Sequence, residues 1–304
     1  MRGVLAAIPR GPTTLRCRDA TTRRELPRPR EDELQVAGLR LQGIAEGGVE
    51  TNLRVPELKL MFDVGMCPPG ALKYQRVLVS HGHADHLAGL HYFISQRGMM
   101  KLPPPILHVP EEIVDPLERV MAAWSEIEGF ELKFELRGAK PGERVTISNE
   151  LTALPLRTHH RVPSLAWVIE RTTRRLDSQY EGLPPEQIRR LREEGVKITH
   201  ETTVPLLCVT GDTKMDFFLE HEIVRRCKVL VYECTSWDDQ RSVASTREWG
   251  HTHVDEWIEQ CEKFEGEALV LVHRSLRHTR RVALRVVRER FPASMRDKIH
   301  VFGH

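Results

Sequence analysis

The chain has 304 residues, enough for one large domain or two small ones with a sizeable buried core. Its 40% hydrophobic and 29% charged content suits a globular protein, and no apolar run approaches the roughly 20 residues a membrane-spanning helix needs. The formal net charge of +2 excludes a global basic field, so any nucleic-acid contact must come from local clusters.

Residues 1–30 carry eight arginines, two acidic residues and no periodicity. Three readings compete: a disordered extension, an organelle-targeting peptide, or translation from an upstream start codon. The apolar core of a secretory signal is missing, so the protein is expected in the cytoplasm. The ordered domain is expected from Leu34, which divides the chain into an Arg-rich extension (1–33) and a folded unit (34–304).

Within the folded unit, residues 50–56 and 58–64 read as strands around a turn at Pro56. Residues 76–80 form a short apolar run typical of a buried strand. Residues 85–96 have apolar side chains at helical spacing and an acidic first turn. Strands are predicted over 105–109, 130–136, 144–148, 151–157 and 165–170, and a charged helix over 186–194. Strong strands follow at 204–210, 229–234 and 268–273, with amphipathic helices at 254–264 and 280–290. Strands in both halves with helices between them fit a layered α/β sandwich.

The six cysteines (Cys17, Cys67, Cys208, Cys227, Cys234, Cys261) contain no C-x-x-C pair and read as small, reduced core residues.

The most informative stretch is His81-Gly-His83-Ala-Asp85-His86, where a buried strand ends and a helix starts. Three imidazoles and a carboxylate would be costly there if buried only for packing. Zinc takes such a mixture of N and O donors. His81 and His83 can converge on one ion, Asp85 and His86 on a second; the bland alternative is a solvent-exposed polar turn. Further ligands must come from distant strand ends, and His160, Asp212 and His273 each stand just past an apolar run. Alternation sends only one of His159 and His160 inward. A carboxylate such as Asp212 can bridge two cations, an arrangement suited to phosphoryl displacement.

Together these motifs resemble the tRNase Z family of the metallo-β-lactamase superfamily, and its short, plant-type form most closely. Ser80-His-Gly-His-Ala-Asp-His-Leu-Ala-Gly89 is similar to the family's SHxHxDHxxG segment. Thr158-His-His160-Arg-Val-Pro163-Ser164 resembles the third motif, and Gly211-Asp212-Thr213 the bridging-aspartate motif. Tyr232-Glu233-Cys234-Thr235 resembles the E-x-T segment, Gly250-His251-Thr-His253 the downstream histidine motif, and His273-Arg-Ser275-Leu-Arg277 the terminal HxSxR motif. The resemblance runs from about residue 37 to the C-terminus.

It implies a metallo-β-lactamase fold, a four-layer α/β/β/α sandwich with the active site at the edge of the two sheets. It further implies two divalent metal ions, Zn2+ by preference. His81, His83 and His160 hold one; Asp85, His86 and His273 hold the other; Asp212 lies between. The implied activity is removal of the 3′ trailer from precursor tRNA by phosphodiester hydrolysis, leaving a 3′-hydroxyl on the tRNA and a 5′-phosphate on the trailer. Asp85 then orients the attacking hydroxide, Glu233 orients His251, and His251 serves the leaving oxygen. The choice of His160 over His159, substrate contacts by Ser275 and Arg277, and a homodimer are part of the same implication. The alternatives are a broader metal-dependent phosphodiesterase and a noncatalytic RNA-binding relative.

The sequence departs from the family pattern in Ala166-Trp167, in His278 and in residues 171–203. That last segment is short and lacks the Gly- and Pro-rich composition of a long protruding arm. Two basic clusters are candidates for phosphate contacts: Arg174, Arg175, Arg189, Arg190 and Arg192, and Arg274, Arg277, Arg280 and Arg281. No aromatic-rich platform for single-stranded nucleic acid is evident. His91, His108, His200, His221, His300 and His304 read as surface or packing residues, and His253 and His278 are left open.

Overall fold

A computed structural model describes residues 30–303. The Arg-rich stretch up to residue 29, Cys17 and His304 lie outside the described residues.

Two mixed sheets face each other. In the first, β1 (Asp32–Val36), β2 (Leu39–Gly47), β3 (Glu50–Val55) and β4 (Leu60–Phe62) are antiparallel neighbours. They are followed in parallel by β5 (Arg76–Leu78), β6 (Ile106–Pro110) and β7 (Glu135–Ala139). In the second, β8 (Val145–Thr146), β9 (Leu151–Arg157), β10 (Leu165–Leu176) and β11 (Thr199–Val209) are antiparallel. The parallel strands β12 (Val229–Glu233) and β13 (Ala268–Val272) continue that sheet. The short β14 (Arg274–Ser275) leaves it to pair with β2, and β15 (Ile299–Val301) closes its far edge beside β13. Parallel neighbours need long crossovers, which are supplied by the helices on the outer faces.

Those helices are α1 (Ala84–Leu87), α2 (Leu90–Met99) and α3 (Val114–Glu128) on the first sheet. A small helix, α4 (Pro185–Glu193), lies between β10 and β11. On the second sheet lie α5 (Met215–Glu220), α6 (Glu222–Arg225), α7 (Val243–Glu248), α8 (Val254–Gln260) and α9 (Arg280–Arg290).

Strand alternation divides the apolar residues among three cores. Val229 and Val231 of β12 join Leu53, Phe62, Leu78 and Trp167 between the sheets. Leu230 and Tyr232 of the same strand turn outward to meet Phe218, Trp257 and Val287 under the helices. Val77 and Val79 turn outward from the first sheet to Phe93, Ile94 and Met121. Two inner sheets with helices on both outer faces make the expected four-layer α/β/β/α sandwich. Each fully buried aliphatic side chain contributes roughly 1.5–3 kcal/mol.

Some elements differ from expectation. The first strand begins at Asp32, ahead of Leu34, and Asp32 is anchored at the far end of the chain by Gly303 N–H, 3.0 Å from its Oδ2. The segment expected as a strand over 130–136 pairs only from Glu135, because Leu132 is drawn into the core under the helices. The helix expected over 85–96 breaks at Gly89, where a Cβ would lie 2.6 Å from the Met66 carbonyl carbon; the close approach requires glycine. The strands expected over 165–170 and 204–210 are longer. Thr172–Leu176 pairs with Thr199–Thr203 as an exposed two-stranded ribbon that carries α4.

Candidate metal centre

Strands of both sheets deliver their C-terminal ends to one place. β5 leads into Ser80 and His81, and α1 starts immediately beyond at Ala84, presenting Asp85 and His86. β9 leads to His160, β11 to Asp212, β12 ends in Glu233 and β13 leads to His273. The sheets are joined here: Leu165 N–H donates to Ser80 O at 2.9 Å, and Trp167 Nε1 donates to Val79 O at 3.0 Å. The Ala166-Trp167 departure therefore falls on a residue that ties the two sheets together beside His81.

His81 Nε2 lies 3.0 Å from His83 Nδ1, which lies 3.2 Å from His160 Nε2. Asp212 reaches this trio with Oδ2, 3.7 Å from His81 and 3.8 Å from His160. Its other oxygen, Oδ1, lies 3.4 Å from His86 Nε2 and 3.3 Å from His273 Nε2. Asp85 Oδ2 is 3.4 Å from His273 Nε2 and 3.7 Å from His86 Nε2. One carboxylate thus straddles two donor groups, His81–His83–His160 and Asp85–His86–His273.

The opposite edges of the imidazoles are fixed by hydrogen bonds. Asp63 Oδ2 accepts from His86 Nδ1 at 2.7 Å and from Ser80 Oγ at 2.7 Å, while Asp63 Oδ1 accepts from Ser80 N–H at 2.6 Å. Ser80 Oγ can then accept from His81 Nδ1 at 3.0 Å, Gly250 O from His160 Nδ1 at 3.0 Å, and Thr235 Oγ from His273 Nδ1 at 3.1 Å. With Nδ1 held by an acceptor in each of these four rings, Nε2 is the nitrogen that faces the centre.

These donors suit divalent metal ions. His86 Nε2 and Asp212 Oδ1 are buried and neither has a hydrogen-bond partner. Three imidazole nitrogens pointed at one another cannot be satisfied by their own protons, whereas a cation accepts all their lone pairs. Burial, reinforced by the charge of His86, holds His81 well below the usual histidine range, and burial also lowers His83 and His160. All three are therefore held in the neutral form that ligates. Burial opposes ionisation of Asp212 and Asp85, but the facing histidines outweigh it and keep both carboxylates charged. Burial likewise opposes protonation of His86, and Asp212 and Asp63 override it, pushing His86 well above its ordinary value. That concentration of negative charge favours a cation.

Beside the donors, the fully buried Glu233 accepts from His251 Nδ1 at 2.8 Å, from Thr213 N–H at 3.1 Å and from Thr235 Oγ at 2.8 Å. Burial disfavours the His251 cation, but the Glu233 carboxylate prevails and raises it to about 9.

The structure brings His81, His83, Asp85, His86, His160, Asp212, Glu233, His251 and His273 together. His159 turns away to pair with Glu220 at 2.7 Å. Ser275 is half-buried and accepts from the exposed Arg277 through Nε at 3.4 Å. Arg274 is corrected as a phosphate candidate: it is 1% exposed, donating to His278 O and facing Glu46. Arg280 pairs with Asp32. His253 caps α8, and His278 is buried and accepts from Trp237 N–H at 3.4 Å. Sequence reasoning missed Asp63, although a carboxylate directly after the apolar Leu60–Phe62 carries the same strand-end pattern that singled out Asp212.

The chain is similar to known proteins of one family and one fold. A family model described as a beta-lactamase superfamily domain matches residues 66–177. "tRNase Z TRZ1" of Arabidopsis thaliana is 35% identical over 248 residues, covering 81% of this chain and 89% of the relative. The chloroplastic "tRNase Z TRZ2" of the same plant is 34% identical over 240 residues, covering 78% and 68%. Among solved structures, the metallo-beta-lactamase fold protein YhfI of Bacillus subtilis superposes with a TM-score of 0.59 at 14% identity, covering 85% of this chain and 93% of that one. Human tRNase Z, short form, superposes with a TM-score of 0.53 at 15% identity, covering 85% and 94%. Both structures share the metallo-β-lactamase fold of this chain.

Proposed function

The chain belongs to the tRNase Z family, a branch of the beta-lactamase superfamily, and from that premise we propose that it is a zinc-dependent endoribonuclease that removes the 3′ trailer of precursor tRNA. The observation that carries this reading is the Asp212 carboxylate set between two donor groups, with the Glu233–His251 pair beside it.

Two Zn2+ ions are the cofactor in this reading: one with His81, His83 and His160, the other with Asp85, His86 and His273, and Asp212 shared. Ions in such a site acidify water and neutralise charge on the phosphoryl oxygens. Asp85 accepts a hydrogen bond from Gly48 N–H at 3.0 Å, which fixes the carboxylate that orients the attacking water. His251, held through Nδ1 by Glu233, offers Nε2–H to the departing 3′ oxygen, so the tRNA keeps a 3′-hydroxyl and the trailer a 5′-phosphate. Ser275 and Arg277, two and four residues after His273, serve the phosphate backbone of the substrate.

The reading extends to a cytoplasmic homodimer. No helix among the described residues is long and apolar enough to cross a membrane. Exposed Tyr92, Met99, Val120, Ile127 and Phe130 on and beside α2 and α3 supply apolar surface for a second copy. Light scattering that gives a monomer mass removes that part.

The central test incubates purified, zinc-loaded protein with precursor tRNA and with bis-p-nitrophenyl phosphate, with and without chelator. Cleavage of both, abolished by chelator, is expected, with the RNA cut at the trailer junction. Cleavage of the small ester alone makes the protein a broader phosphodiesterase, and cleavage of neither favours a binding role.

A further inference from the structure

Trp249 is 51% exposed, whereas Trp167, Trp237 and Trp257 are at most 2% exposed. A large apolar ring left half in water gains only about half of what full burial would give. It has one charged neighbour: the Arg161 guanidinium lies over it, 4.8 Å from the ring centroid.

Both members of this stack are attached to the centre. Arg161 follows His160. Trp249 caps the C-terminal end of α7 and precedes Gly250, whose carbonyl accepts from His160 Nδ1 at 3.0 Å. Gly250 is left-handed (φ +83°), and a Cβ there would lie 2.7 Å from His160 Nδ1. That close approach fixes the backbone between Trp249 and His251. The indole is therefore a half-open aromatic surface two residues from His251, carried on a backbone tied to His160. The guanidinium over it adds positive charge beside the ring.

We infer that Trp249, stacked with Arg161, is a platform for the base of a nucleotide that flanks the scissile phosphate. The inference rests on the RNA-cleaving reading above and adds a site for the nucleobase, which the metal donors and the Glu233–His251 pair do not contact. Every base has a π-face, so an indole binds it with little sequence preference, and a neighbouring arginine strengthens the stack. A single such platform positions the strand across the centre without the row of aromatics absent from the sequence.

The test measures kcat/KM on precursor tRNA whose nucleotide either just 5′ or just 3′ of the cleaved bond is abasic, with the intact RNA as reference. Trp249→Ala is expected to lose about tenfold on intact RNA, mainly through KM, with Trp249→Phe restoring most of it. An abasic nucleotide at one of the two positions should cost the wild type a similar factor and cost Trp249→Ala little more.

Losses that multiply independently at both positions overturn the platform, as does wild-type kcat/KM in Trp249→Ala. Metal content is measured alongside; a Trp249→Ala protein that loses metal makes the indole a support for His160 and overturns the platform. Wild-type protein that hydrolyses bis-p-nitrophenyl phosphate but leaves all the RNAs intact removes both the RNA reading and the platform. Cleavage of RNA without coupling removes the platform alone.

Discussion

Asp63 shows how a residue outside the donor set can set the chemistry of one inside it. It sits in the left-handed region (φ +55°) just past β4 and uses both carboxylate oxygens on Ser80 and His86. Removing its charge weakens the hold on His86 Nδ1 and the basicity of Nε2. Asp63→Asn keeps the size and tolerates the same backbone, so the expected effect is on the metal. Affinity should fall roughly 10–100-fold, as when the outer partner of a metal-binding histidine is lost, read by competition with a chromophoric chelator. His251→Ala should act in the opposite sense: metal content near wild type, kcat on precursor tRNA down by roughly 10²–10⁴. Major metal loss in His251→Ala would make that residue a ligand. At this scale the sequence was informative where donors cluster locally, as in His81 to His86. It was less so for His159 and His160, since the partner that turns His159 outward, Glu220, is 61 residues away.

At the scale of elements, both basic clusters mix paired and free guanidinium groups. On α4, Arg189 and Arg190 pair with Glu193 and Glu194, and on the ribbon Arg174 pairs with Glu201, while Arg175 and Arg192 are exposed without a carboxylate partner among the described residues. On α9, Arg281 and Arg285 are exposed at helical spacing and have no carboxylate partner among the described residues; the helix begins seven residues after His273. Free guanidinium groups on one helix face can track a phosphate backbone, whereas paired ones are already neutralised. Arg281→Ala with Arg285→Ala should weaken RNA binding and flatten log Kd against log salt by about one per arginine. Arg189→Ala with Arg190→Ala should leave that slope close to wild type. A reversed outcome assigns the grip to the ribbon. Element type was legible where a period was clean, as in α8, α9, β12 and β13. Gly43 concealed β2: its φ of +141° and the Asn52 carbonyl, 1.8 Å from where a Cβ would sit, mark an irregular strand interior that composition alone reads as a break. The helix α3 went unread although Val114, Leu117, Met121 and Trp124 recur at helical spacing, because the exposed Val120 and Ile127 blur the edge of that stripe.

Over the whole molecule, strands could be read from the sequence but their division between two sheets could not. β14 pairs with β2 across more than two hundred residues, and no local pattern encodes that register. The division between sheets gives the centre a mechanical role. His81, His83, Asp85 and His86 hang from the first sheet; His160, Asp212 and His273 hang from the second. A cation gripped by both acts as a clasp at one mouth of the sandwich, where the sheets otherwise meet through a few bonds such as Leu165 to Ser80 and Trp167 to Val79. Ion binding to the folded state alone raises stability by RT ln(1 + [L]/Kd), about 2.7 kcal/mol at a hundredfold excess over Kd. Chelation should therefore lower Tm by several degrees, and titrating the ion back should restore it; an unchanged Tm would mean the clasp bears no load. Amide hydrogen exchange should locate the slack, quickening first over 78–82 and 164–167 while the opposite mouth of the sandwich stays shut.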